Sequence, residues 1–202
     1  MIPPGKRAAR LGGGWRLWSE WLLGVPLQIP DVSQSSHAGS FQSSGERAIL
    51  VPPALEFEFR MRVLIGAPLD QGTWDGQRRR IIPVVGGTFE GPRFSGTVLP
   101  GGADWQSVRV TDGVARIDAR YTLRHDDGTL VTMVDRGVRR GPLEVMARLA
   151  AGEVVEPSLY YFRTTPRFEV QDGPHQWLTD HVFVCRGHRR PNAVELEIFR
   201  VL

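Results

Sequence analysis

RIDARYTLRHDDGTLVTMVDRGVRR, residues 116–140, decides how the rest of the chain is read. Ile117, Ala119, Tyr121 and Leu123 alternate with Asp118, Arg120 and Thr122, the period of two that belongs to a strand. Asp127–Gly128 interrupts the pattern with a residue pair suited to a tight turn, and 129–138 resumes it. The stretch is therefore expected to be an antiparallel hairpin, with one strand over about 116–124 and its return over 129–138.

Working outward, LEFEFRMRVLI at 55–65 repeats the alternation. Leu55, Phe57, Phe59, Met61 and Val63 are expected on one face, with Glu56, Glu58, Arg60 and Arg62 on the other. Residues 66–80 read as a glycine- and charge-rich loop carrying Trp74 and three consecutive arginines, 78–80. IIPVVGGTFEGPRFSGTVL at 81–99 reads as two or three short strands broken at Gly86–Gly87 and Gly91–Pro92. A turn at 100–102 leads to Ala103, Asp104 and Trp105, and a further strand ends at the Asp112–Gly113 turn. Downstream, 159–170 reads as a strand interrupted by Pro166, and 175–187 and 193–202 as further strands. Only PLEVMARLAAGE, 142–153, has helical spacing, with Gly152 as its stop. The expectation is a mainly β chain of eight to ten short strands and one short helix. Closure into an antiparallel β-barrel-like single domain is the cheapest way to bury such strands, because it removes open edges.

The 202-residue chain is long enough for one domain with an appendage. Its 23 glycines and 15 prolines favour short strands over long helices. Residues 1–50 differ from the rest: 12–14 are glycines, and 31–45 read DVSQSSHAGSFQSSG, with little to bury. Between them, WRLWSEWLLGVPL at 15–27 has an apolar stripe cut short by Gly24 and Pro26. A signal peptide is disfavoured because Glu20 interrupts the apolar run and no clean cleavage pattern follows. The reading is a poorly ordered or loosely docked N-terminal extension over 1–50, and a barrel domain over 54–202.

Charge and cysteine content exclude several functions. Twenty-five basic and 22 acidic residues leave +3, with no concentrated basic patch for nucleic acid. No stretch approaches the roughly 20 apolar residues of a membrane-spanning helix. Cys185 is the single cysteine, which excludes an intramolecular disulfide and a multi-cysteine zinc site and suits a cytoplasmic location. The five histidines show neither HxH nor HExxH spacing, although His175 and His181 could converge across a bend. The sequence therefore points to no metal. There is no GxSxG elbow, phosphate loop or dinucleotide-binding unit, so no cofactor is expected.

Several segments together resemble a known family. GGTFEGPRFSGTVLPGGADW at 86–105, DGVARIDARYTLRHDDG at 112–128, Arg136–Gly137, YYFRTTPRFE at 160–169 and Trp177–Leu178 carry the resemblance. From about residue 54 to the C-terminus the chain is similar to the family of domain of unknown function 3237, also called uncharacterised protein family 0311. The resemblance implies a single barrel-like domain able to form a homo-oligomer, and implies no established reaction. The fold also resembles allene oxide cyclase and dirigent-type barrels, which hold apolar or phenolic ligands and steer reactions without a cofactor. That analogy assigns no chemistry.

The residues themselves offer candidate sites, each with a structural alternative. Asp118, Arg120 and Thr122 would give a polar anchor if they line the barrel interior, Arg120 gripping an anionic oxygen and Asp118 orienting it or acting as a base. Otherwise they face solvent or another subunit. Asp104 could act as a base and Trp105 could stack on a planar ligand, or the two could cap a turn and plug the barrel end. Tyr161 and Arg163 share a face and could polarise a carbonyl, while Tyr160 and Phe162 fit core packing. Tyr121 is a candidate hydrogen-bond donor. Glu90 is an acid or base if buried, and a turn carboxylate if not.

The resulting expectation is a pocket for a small organic molecule with an apolar body and an anionic or carbonyl group. Two alternatives stand beside it: a cofactor-independent isomerase, cyclase or lyase, which needs a carboxylate inside the pocket, and an interaction protein with a filled barrel.

Overall fold

The computed structural model describes residues 51–202. The expected extension over 1–50 lies outside them.

The decisive hairpin forms as β6, Ala115–His125, and β7, Leu130–Arg140, paired from Ala115↔Arg139 to Arg124↔Leu130. Its alternation drives the fold. Ile117, Ala119, Tyr121, Leu123, Val131 and Met133 are buried on the inner side. Full burial of a side chain such as Leu123 or Met133 is worth about 1.5–3 kcal/mol.

Around this hairpin stand β1 (Leu55–Ile65), β2 (Leu69–Trp74), β3 (Gln77–Glu90), β4 (Gly96–Val98), β5 (Ala103–Arg109), β8 (Tyr161–Val170), β9 (Phe183–Arg189) and β10 (Ala193–Val201). The antiparallel order β1-β10-β9-β8-β7-β6 is continued by β5 and β4, both of which pair β3. Pairing of β3 with β1 closes the sheet into an eight-stranded barrel. Helix α1, Leu143–Ala150, follows β7 and buries Val145, Met146 and Leu149. Among the described residues no helix is long and apolar enough to cross a membrane.

Five local readings change, the first at 175–187, where Gln176–Leu178 is a 3-10 turn and the strand begins only at Phe183. The loop expected over 66–80 is a hairpin, since β2 pairs the first half of β3 where β1 has turned away. β3 does not break at Gly86–Gly87. It runs through them because a Cβ at Gly87 would lie 2.1 Å from the Arg62 carbonyl oxygen, so only glycine lets β3 approach β1 there. Pro166 does not interrupt β8, whose ladder with β9 covers only Arg163 and Thr164, so the missing N–H removes no bond on that side. In β1 a register shift between Phe57 and Phe59 reverses the alternation. Leu55 and Phe57 are exposed, whereas Glu58 is buried and bonded by Arg93 at 2.7 Å and Arg200 at 2.8 Å.

The interior has two unlike halves. Phe59, Phe89, Phe94, Phe168 and Phe183 pack against one another beside the β6–β7 turn, with ring centroids 4.7–6.0 Å apart. Towards the Arg139 end of β7, where α1 follows, the inward positions become polar.

Candidate functional site

The polar half is built from inward positions on four strands. β5 contributes Asp104 and Gln106, β6 contributes Tyr121, β7 contributes Asp135 and Arg139, and the end of β9 contributes Arg189. With Val63, Ile82, Val84, Ile117, Ala119, Phe162 and Leu196 they line a cavity of about 50 Å³. That is below the roughly 150 Å³ that admits a benzene ring, so a larger ligand must displace side chains. Arg139 and Arg189 are the longest side chains in the lining, and Arg189 donates to the Ala193 carbonyl at 3.1 Å.

Register explains the convergence. Asp104 pairs with Ala119, and Ala119 with Asp135, so the two aspartates flank a methyl group in one row of the wall. Their surroundings differ. Asp104 accepts the Asp118 backbone N–H at Oδ1, 3.0 Å, and the Gln106 amide at Oδ2, 2.9 Å. Gln106 in turn accepts an N–H from Arg80. Burial raises the Asp104 carboxyl above its ordinary value, and the two hydrogen bonds oppose that shift.

Asp135 is more deeply enclosed, 2% exposed, and accepts only the Thr164 hydroxyl at 2.9 Å. Desolvation, partly offset by Thr164 and increased by the nearby Asp104 charge, pushes it up to about 7. Its second oxygen, Oδ1, has no hydrogen-bond partner among the described residues, and neither do Tyr121 Oη and Arg139 Nε. Burial raises the Tyr121 phenol well above its usual value and lowers Arg139 to about 10. Three unpartnered polar atoms on residues lining one cavity are a concentration of unmet hydrogen bonding that packing alone does not call for.

The residues singled out from sequence separate into two groups. Asp104 and Tyr121 line this cavity. Asp118 and Arg120 do not, because the β6 alternation aims them outward: Asp118 pairs with Arg136 at 2.8 Å and Arg120 with Glu169 at 3.3 Å. Glu90 is exposed and bonded by Arg60. Trp105 is half-exposed on the outer face of β5. Tyr161 is exposed, with the Arg140 and Arg163 guanidinium groups over its ring, and Arg163 donates to the Phe162 carbonyl. Tyr160 and Phe162 are buried, and the Tyr160 hydroxyl accepts the Arg189 backbone N–H at 2.9 Å.

Sequence reasoning did not single out Asp135, Arg139, Gln106 or Arg189. A signal existed for the first two. Continuing the apolar set of β6 through the hairpin places Val131, Met133, Asp135 and Arg139 on one inward face, so two charges interrupt a core pattern. Buried Cys185, its thiol raised by burial, is an inert packing group.

A second polar cluster lies at the aromatic end. His125, Asp127 and His175 have side-chain donor atoms within 4.8 Å of one another.

The chain as a whole has relatives among known proteins. The model of a family described as "Protein of unknown function (DUF3237)" matches residues 53–201. A UPF0311 protein of Rhodopseudomonas palustris (strain TIE-1) is 39% identical over 152 residues, covering 74% of this chain and 99% of that protein. The crystal structure of a conserved protein of unknown function from Rhodopseudomonas palustris superposes with a TM-score of 0.71 at 36% identity, over 75% of this chain and 99% of that one. A hydroalkoxylation enzyme of Penicillium herquei, phnH, is 34% identical over 84 residues, which is 42% of this chain and 55% of that protein.

Proposed function

The chain belongs to the DUF3237 family, and from that premise we propose that its barrel binds a small organic molecule and moves a proton on it without a cofactor. The substrate class is a molecule with an apolar body and an oxygen that becomes anionic, such as a phenol or an enolisable ketone. The observation that carries the reading is Asp135, a buried carboxyl with a free oxygen on a residue lining the cavity and a pKa of about 7. A group poised there can both accept and return a proton near neutral pH.

In this reading the other groups divide the work. Arg139 supplies positive charge and an unmet N–H for the anionic oxygen that develops. Tyr121 stays protonated and donates its hydroxyl. Asp104, held by Asp118 and Gln106, keeps a fixed acceptor opposite Asp135. Ile117, Ala119, Val63 and Leu196 receive the apolar body. Hydroalkoxylation adds an O–H across a C=C bond: the oxygen bonds one carbon, the π bond breaks, and the hydroxyl proton moves to the other carbon, so the name of the fungal relative supports a reaction that includes such a proton movement.

The test is deuterium exchange. Phenols and enolisable ketones are incubated with the protein in heavy water, and exchange at carbon is followed by NMR. Exchange above the buffer rate, lost in a folded Asp135→Asn variant, is the expected result. Exchange that survives in D135N overturns the role of Asp135. Binding with no exchange reduces the function to capture.

A further inference from the structure

We propose that His125, Asp127 and His175 form a binding site for a divalent transition cation of the zinc class, separate from the barrel cavity. The three residues come from different places. His125 ends β6, Asp127 lies in the β6–β7 turn, and His175 precedes the short 3-10 turn Gln176–Leu178 between β8 and β9. Folding brings Asp127 Oδ1 to 2.9 Å from His125 Nδ1, and Asp127 Oδ2 to 2.8 Å from His175 Nε2. Two imidazoles and one carboxylate are a donor set that zinc and its neighbours favour, with room left for water or an anion.

Hydrogen bonding adds a second argument. The Asp127 backbone N–H lies 3.2 Å from His125 Nδ1, and the same nitrogen lies 2.9 Å from Asp127 Oδ1. Asp127 Oδ1 already accepts the Thr129 N–H at 2.8 Å. Each carboxylate oxygen therefore faces an imidazole nitrogen, Oδ1 that of His125 and Oδ2 that of His175, so the three groups converge on one point. A cation bound there replaces the protons that these pairs share and parts each pair by a few tenths of an ångström.

The surroundings hold the donors in place. Phe94 stacks on the His125 ring with centroids 5.2 Å apart and meets His175 edge-on at 5.6 Å. His175 is buried, whereas Asp127 is exposed, so an ion can enter from the solvent side. Bound there, the ion would staple the β8–β9 connection to the β6–β7 turn.

Untagged protein, dialysed against a chelator and then freed of it, is titrated with Co²⁺ while its visible d–d absorption is recorded. Saturation at one ion per chain, competed by Zn²⁺ and accompanied by a higher melting temperature, is expected. Asp127→Asn and His175→Ala should weaken binding by at least the roughly 10–100-fold that loss of a metal's supporting partner costs. His188→Ala, outside the cluster, should leave it unchanged. D127N, altered at an exposed position, keeps the test valid if the buried histidine variant does not fold. Absence of saturable binding, or equal affinity in D127N, overturns the site and means that a shared proton holds the cluster. Neither result bears on Asp135, whose exchange assay needs no metal.

Discussion

Asp104 and Asp135 stand in one row of the barrel wall, each in register with Ala119 of the strand between them. Two interstrand steps put their Cα atoms about 10 Å apart, and the alanine methyl leaves the space between their side chains open. Burial raises both carboxyls, but two hydrogen bonds restrain the rise of Asp104 while Asp135, left half-bonded, is pushed up to about 7. That division underlies most of what can be tested in this molecule.

Asp135 should make stability fall as pH rises through the mildly acidic range. Its folded pKa is about 7, while an unfolded aspartate titrates near ~3.9. Below the lower value both states are protonated and the contribution is fully present. Between the two values the unfolded chain releases a proton that the folded chain keeps, so stability is lost until pH passes about 7. Urea unfolding of wild type and D135N across this window should show the wild type losing a few kcal/mol relative to the variant. Parallel pH curves would refute the buried titration.

Filling the gap between the aspartates should remove function before it removes the fold. Ala119→Leu adds volume beside the cavity and should cost about 1–3 kcal/mol through overpacking. A thermal melt should show a folded but less stable protein, and the exchange assay should show none of the wild-type activity.

Arg139 is 6% exposed, and among the described residues it has no salt bridge. Arg139→Met replaces a desolvated cation with an apolar chain of similar length. It should raise stability by on the order of 1 kcal/mol while abolishing binding of anionic ligands. Arg120→Ala, on the outer face, should change stability by less than about 1 kcal/mol and leave binding intact. Paired melts and binding titrations on the two variants distinguish inward from outward arginine.

Two glycines should respond differently to alanine. At Gly87 the added Cβ would meet backbone at 2.1 Å, so β3 and β1 must separate where the barrel closes. Gly72 has nothing within 4 Å and only its positive φ of 84° to satisfy. G72A should cost about 1–2 kcal/mol, and G87A should lose the cooperative unfolding transition altogether.

Much of this architecture is legible in the sequence. The 116–140 hairpin, the single helix and the strand content all follow from alternation and turn residues, which act over a few neighbours. Where the reading changed, the cause was a long-range contact: Arg62 behind Gly87, the turning away of β1 that lets β2 pair β3, and the bulge that buries Glu58. The site was half-legible for the same reason. Asp104 and Tyr121 were named from their own segments, but Asp118 and Arg120 were attractive only while the inward face was open to choice.

By itself the sequence determined the strands, the turn that joins β6 to β7, and the rule that their apolar residues share a face. These properties depend on steric preference and the transfer of apolar groups from water, both written locally. Only the tertiary structure decided that Asp104, Asp135, Arg139 and Arg189 line one cavity, and that His175 meets Asp127 from 48 positions away. Those meetings depend on the closure of β3 onto β1 and on the relative stagger of every strand between, quantities that no single segment encodes.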